Sequence, residues 1–242
     1  MVRDNGSVRY RVLACDYDGT VASQGTLAPE TVASLQRLRE SGRRAVLVTG
    51  RILDELLDIC DDLDVFDLVV LENGALLYNP ATGQQRLLAA TLPRRFVAAL
   101  RSQGVTPLSV GRAICSTWDP FEAVVVRTIH EMELDLQIVF NKHSVMVLPA
   151  SVNKMTGLTV ALDSLGETAE ATVAVGDAEN DLVMLSMVGC GVAVANALAS
   201  VKERADLVME GTAGEGVRQL IDAMLRDDLH SALARATHRR AG

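Results

Sequence analysis

Asp16 and Asp18 stand two residues apart where an apolar run, residues 8–15, gives way to Gly19 and Thr20. Two carboxylates at that spacing on a strand end can point the same way and share a divalent cation. Gly19 permits a tight turn, and the Thr20 hydroxyl can hydrogen-bond a phosphate. A surface turn with a capping acid fits the same residues. Thr49-Gly50-Arg51 closes a second apolar run. A hydroxyl and backbone N–H groups at a helix start form a phosphate cradle, or an ordinary Thr N-cap. Lys154 opens a helical stretch, where the helix dipole disfavours a cation unless an anion sits beside it; a solvated lysine is the plainer reading. Gly176-Asp177-Ala178-Glu179-Asn180-Asp181 closes a further apolar run. Asp177 and Asp181 are one helical turn apart, so they can face one site or serve as a cap and a first-turn acid.

Each cluster needs a strand to present it. Residues 8–15, 45–48, 68–71, 172–175 and 191–194 read as buried strands, with a short one near 206–209. Residues 29–41, 52–63, 153–165, 179–187, 198–204 and 216–226 read as helices, and the last dozen residues as frayed. The β-α-β-α-β order with continuously apolar strands predicts an α/β fold, a Rossmann-like three-layer α/β/α core around a parallel sheet. Ligands of such sheets bind beyond the carboxyl ends of the strands, where all four clusters fall or border.

After residue 76 the pattern changes. Residues 79–83 read as a turn, 93–103 as a helix, 109–115 as a strand and 119–133 as a helix; 135–140 and 144–148 form a hairpin around Asn141-Lys142-His143. The expected organisation is a core of residues 1–76 and 151–242 with a small α+β segment inserted at 77–150.

Composition narrows the function. The 242 residues are 49% hydrophobic but only 3% aromatic, so the core must be built from Val, Leu, Ala and Met. A net charge of −8 argues against non-specific nucleic-acid binding, and an acidic protein handling anionic substrates must concentrate its cations or use a metal. Cys15, Cys60, Cys115 and Cys190 form no CxxC pair and have no histidine at metal-ligand spacing, so they read as buried thiols of a reducing compartment. With no signal peptide and no run near the roughly 18 apolar residues of a membrane helix, the expected location is the cytoplasm, away from membranes.

Taken together, the order and spacing of the four clusters resemble the haloacid dehalogenase-type hydrolases, in their Cof-like, cap-type IIB branch. The resemblance spans about residues 8–225 and includes Glu72-Asn73-Gly74-Ala75 and Glu215-Gly216-Val217. It implies an enzyme, a phosphatase with Mg²⁺ as cofactor, and makes the inserted segment 77–150 its cap domain, of type C2. Asp16 would be the nucleophile and a metal ligand, and Asp18 the acid/base that lends the metal its backbone carbonyl. Thr49, Gly50 and Lys154 would hold the phosphoryl group with help from Asn180, and Asp177 and Asp181 would complete the metal set. The short cap is similar to that of archaeal-type phosphoglycolate phosphatases, so the implied partner is a small phosphorylated metabolite, phosphoglycolate or a sugar phosphate. A sugar phosphomutase of the same branch and a non-catalytic phosphate-binding module are the competing readings. Oligomeric state is not legible.

Other residues carry less. The run Asp54, Glu55, Asp58, Asp61, Asp62 and Asp64 reads as a solvated helix face. Arg112 and His143 are cap candidates for substrate contact, and Trp118 reads as cap packing. The glycine-rich stretch 211–216 lacks the lysine of a P-loop and reads as a loop.

Overall fold

The computed structural model describes residues 8–141 and 143–241. Its centre is a set of short strands with little but Val, Leu, Ala and Cys on both faces: β1 (Val12–Cys15), β2 (Arg44–Val48) and β3 (Leu68–Leu71). Almost every one of their residues is buried, which requires cover on both sides. β4 (Leu76–Asn79) and β5 (Gln84–Leu87) follow at one edge, and β10 (Thr172–Gly176), β11 (Cys190–Ala193) and β12 (Leu207–Val208) lie on the other side of β1. Among the described residues the sheet has eight strands in the order β12-β11-β10-β1-β2-β3-β4-β5. Helix α1 (Pro29–Glu40) packs with α8 (Ala213–Asp227), and α5 (Lys154–Leu165) with α6 (Leu182–Met187), giving the expected three layers.

The strand order reverses at β1. From there the chain builds outward through β2 and β3, then later through β10 and β11 on the other side. β1 and β10 are parallel neighbours with Cys15 opposite Val175, so the residues just past both strands, Asp16 and Asp177, emerge side by side. That is the crevice where sheets of this type bind ligands.

Several expectations shift. The sheet is parallel from β12 to β3 but mixed overall, because β4 and β5 add antiparallel strands. Residues 77–87, expected with the cap, therefore extend the main sheet. The turn at 79–83 is where expected, with the Asn79 side chain accepting the Ala81 and Thr82 N–H groups at 3.0 and 3.2 Å. The helix expected over 52–63 is only α2 (Leu53–Leu57). Asp58, Asp61 and Asp62 oppose the dipole at a helix C-terminus, and no basic residue offsets them. Residues 231–241, expected to fray, are helical: α9 (His230–Ala241) lays Ala232, Leu233 and Ala236 on the core.

The inserted part forms a second sheet, ordered β6 (Ser109–Val110), β7 (Cys115–Trp118), β9 (Ser144–Pro149), β8 (Leu136–Asn141). Lys142, at the expected hairpin tip, lies outside the described residues. The strand expected over 109–115 is split by a loop at 111–114. Helices α3 (Arg94–Ser102) and α4 (Glu122–Glu131) cover one face, where Phe96, Leu100, Cys115, Val125 and Val147 form a small core. Register puts Ser116, Met146 and Val139 in one row and Trp118, Ser144 and Asn141 in the next, all on the opposite face. Met146 there clusters with Ala75 of the main body, so this face looks onto the strand ends of the large sheet.

The approach of α5 to β3 is tight. Gly74 has φ 115°, and a methyl group there would overlap the carbonyl oxygen of Asn153, which caps α5. Gly83, with φ 69°, has open space around its Cβ position. Gly74→Ala should therefore destabilise by about 2–4 kcal/mol, against about 1 kcal/mol for Gly83→Ala, in urea denaturation followed by circular dichroism. Equal small losses would mean that this contact relaxes easily.

Candidate active site

The turn after β1 is built by its own backbone. Asp16 donates its N–H to Val175 O at 3.0 Å, its carbonyl accepts from Val21 at 3.1 Å, and Tyr17 O accepts from Ala22 at 2.9 Å. Gly19, with φ 83°, closes the turn. Asn196 ties it down: its Nδ2 donates to Gly19 O at 2.7 Å, while its Oδ1 accepts the Ala213 N–H at the start of α8 at 2.7 Å.

Lys154 is fully buried rather than solvated. Its Nζ donates to Asp16 Oδ1 at 2.5 Å and to Asp181 Oδ1 at 2.6 Å. Asp181 Oδ2 in turn accepts the Asp177 and Ala178 N–H groups at 2.9 and 3.0 Å, which shapes the turn after β10. Asp177 is buried as well, and Thr20 Oγ1 donates to its Oδ1 at 3.4 Å. Oxygens of Asp16, Asp177 and Asp181 lie within 4.8 Å of one another. Three buried carboxylates thus share one cluster with a single ammonium, which two of them contact.

The electrostatics follow. Desolvation, then the charge of Asp181, pushes Asp16 up to about 7, and Lys154 pulls the other way without prevailing. Burial works against the charge of Lys154, but the charges of Asp16 and Asp181 and their hydrogen bonds outweigh it and hold the ammonium above its ordinary range. The surplus negative charge, carried on hard oxygen donors, suits a divalent cation such as those that bind carboxylates.

Asp18 is arranged differently. It is partly exposed, and both its oxygens accept from Arg51: Nε to Oδ2 at 2.7 Å and Nη2 to Oδ1 at 2.8 Å. The Arg51 guanidinium also sits 5.9 Å from the centre of the Tyr17 ring. Thr49 is buried, its Oγ1 accepting the Arg51 N–H at 3.1 Å. Gly50 lies under the second sheet: a Cβ there would be 3.1 Å from Met146 Sδ.

Asn180 Nδ2 donates to Asn73 Oδ1 at 3.3 Å, while Asn180 Oδ1 is buried with no partner among the described residues. Asn73 belongs to a run of three residues with positive φ, Glu72 at 52°, Asn73 at 56° and Gly74 at 115°. This unusual backbone turns the Glu72 carboxylate, itself buried, toward the loop at 111–114. Its oxygens accept the N–H groups of Arg112 at 2.9 Å, Ala113 at 2.7 Å and Ile114 at 3.2 Å. A second link joins Ser109 Oγ to Glu55 Oε1 at 2.6 Å. The strand β8 also packs over residues 179–181.

The structure therefore gathers Asp16, Asp177, Asp181 and Lys154 into one buried cluster, with Asn180 in the turn beside Asp177 and Asp18 at the mouth of the same strand end. His143 is elsewhere, 3.8 Å from Asp119 on the exposed rim. Trp118 is 53% exposed, so it is not packing within the cap as expected. Sequence reasoning gave no role to Arg51, Glu72, Asn196 or Met146. Arg51 and Glu72 stood in motifs already noted, whereas nothing local distinguishes Asn196 or Met146. No helix among the described residues is long and apolar enough to cross a membrane.

Comparison with known proteins agrees with this arrangement. Residues 13–106 and 122–221 match the family model of haloacid dehalogenase-like hydrolases. A phosphoglycolate phosphatase of Methanothermobacter thermautotrophicus is 30% identical over 219 residues, covering 87% of this chain and 97% of that protein. A haloacid dehalogenase-like hydrolase from Bacteroides thetaiotaomicron superposes with a TM-score of 0.73 at 22% identity, covering 89% of this chain and 99% of the other. A subclass IIB sugar phosphatase of the same superfamily superposes with a TM-score of 0.70 at 20% identity, covering 89% and 98%. Paired acids beyond a central strand, a buried lysine between carboxylates and a match over most of the chain lead to one conclusion: this protein belongs to the haloacid dehalogenase-like hydrolases, in their Cof-like branch, and is a phosphatase.

Proposed function

We propose that this chain hydrolyses the phosphomonoester of a small metabolite, phosphoglycolate foremost, in two steps through an aspartyl phosphate on Asp16. The observation that carries the reading is Asp16 itself, held 2.5 Å from the Lys154 ammonium within a buried carboxylate cluster at the strand switch point. The relative named as a phosphoglycolate phosphatase, matched over 97% of its length, supports the substrate.

In the first step an Asp16 oxygen forms a bond to phosphorus as the bond to the substrate alcohol breaks, and Asp18 gives that alkoxide a proton. In the second a water attacks phosphorus, Asp18 takes its proton, and the Asp16–phosphorus bond breaks to release inorganic phosphate. Thr49, the Gly50 backbone and Lys154 hold the phosphoryl oxygens, and Asn180 orients them. Asp16, the backbone carbonyl of Asp18, Asp177 and Asp181 would hold Mg²⁺. That ion, when bound, neutralises the charge of the phosphoryl group. Asp181 also works through Lys154, which it holds from the other side at 2.6 Å.

Residues 93–149 serve as the cap. Their sheet roofs the site, as Met146 against Gly50 and Glu72 against the loop at 111–114 support. The free, buried Cys15, Cys60, Cys115 and Cys190 support a reducing, cytoplasmic setting.

A phosphate-release assay over a panel of phosphorylated acids and sugars, with Mg²⁺ and then with EDTA, tests the reading. Release from phosphoglycolate that EDTA abolishes is the expected result, and no release from any of them would overturn it. Asp16→Asn should lower turnover by at least about a thousandfold while circular dichroism stays unchanged.

Metal removal should also show in stability. Burial raises Asp16 from 3.8 to about 7 in the metal-free fold, so the folded protein keeps a proton that the unfolded chain releases. Stability in EDTA is therefore highest below pH about 4 as far as Asp16 is concerned, and this contribution is lost as pH rises to about 7. Mg²⁺ should restore stability at pH 8, and Asp16→Asn should flatten the slope in thermal melts across that range. A melting temperature that Mg²⁺ leaves unmoved at pH 8 would count against the metal site.

A further inference from the structure

The cations of the site differ in how free they are. Lys154 is enclosed between two carboxylates and cannot turn toward a leaving group. Arg51 is 31% exposed and its partner Asp18 37% exposed, so their fork can open to solvent and to a ligand. The backbone of Arg51 is anchored on both sides: its N–H donates to Thr49 Oγ1 at 3.1 Å, and its carbonyl accepts from Glu72 at 3.0 Å. Only the side chain is left to swing. While the fork is closed, both oxygens of Asp18 accept from the guanidinium, and neither is placed to hand a proton to a leaving oxygen.

The substrate resolves this conflict. The scissile oxygen must lie at Asp18 for the proton to pass. In phosphoglycolate a carboxylate stands one methylene from that oxygen, within reach of a guanidinium already at Asp18.

We propose that Arg51 is the specificity-determining cation of this site: it pairs with Asp18 until a substrate brings its own anionic group beside the scissile oxygen, then exchanges onto that group and frees Asp18 for proton transfer. The inference rests on the phosphatase reading given above. Once released, the Asp18 carboxylate takes a proton from solvent and gives it to the alkoxide as the phosphorus–oxygen bond breaks. Asp18 recovers a proton from the attacking water and returns it to solvent when the product leaves and Arg51 pairs again. The carboxylate of the substrate stays ionised throughout.

Phosphoglycolate and ethyl phosphate differ only in that carboxylate, so the ratio of their kcat/KM values is the test, with Mg²⁺ present. Arg51→Gln should lower the ratio by about 10- to 100-fold, mainly through KM for phosphoglycolate, and Arg51→Lys should restore part of it. Arg112→Gln, which removes the exposed arginine of the neighbouring cap loop, should keep the wild-type ratio. A proportional loss on both esters in Arg51→Gln, or collapse of the ratio in Arg112→Gln instead, would overturn the proposal. A measurement on the wild type needs no variant to fold: added formate, standing in for the missing carboxylate, should raise kcat/KM for ethyl phosphate and not for phosphoglycolate. Formate that leaves ethyl phosphate hydrolysis unchanged or inhibits it overturns the exchange. Absence of release from either ester by the wild type would instead sink the phosphoglycolate assignment beneath it.

Discussion

The rest of this structure depends on one ammonium buried between two carboxylates. Lys154 is wholly removed from water, where an unpaired charge is strongly disfavoured. It is tolerable only because Asp16 and Asp181 reach it from two different strand ends, Lys154 and Asp16 standing 138 positions apart in the chain. Such a group is weak evidence for stability in itself. What it provides is register: α5 must start where Lys154 can reach, β1 must end at Asp16, and the turn after β10 must bring Asp181 inward. The Asn153 cap, which accepts from Thr156 at 3.0 Å, and the close passage of Gly74 beneath it fix the helix start.

The core was legible because its strands are buried on both faces. Continuous runs such as Leu68-Val69-Val70-Leu71 leave few alternatives to a covered parallel strand. The edge was not. Every residue of β5 lies on the exposed side, and its Gln84-Gln85-Arg86-Leu87 has no apolar pattern, because only its backbone is needed to extend the sheet. α9 was missed for a related reason: its apolar stripe is mostly alanine, too faint against His, Arg and Ser to read as a packed face. Local propensity described both segments correctly as polar and said nothing of the neighbours that order them.

The site shows the same division. Asp16, Asp18, Thr49, Lys154 and Asp177 were visible as polar residues beyond apolar runs. Their order in the chain suggested a shared purpose that none suggested alone. Lys154 was the instructive case. The dipole argument disfavours a cation at a helix start, yet two carboxylates from distant strands overrule it. Asn196 lay beyond reach of any local reading. It joins the turn of Asp16 to the start of α8, and only the folded topology brings Gly19 and Ala213 to its two ends.

Glu72 reaches across to the loop at 111–114 and grips it by backbone N–H groups. A joint made this way is indifferent to most side-chain chemistry on the far side. Gly111 is constrained, since a Cβ there would lie 2.6 Å from Glu72 Oε1, and Ala113 and Ile114 are buried. Position 112 alone in that loop points an exposed side chain outward. Evolution could therefore rewrite that residue, and with it the charge of that loop, without loosening the attachment of the second sheet to the main body.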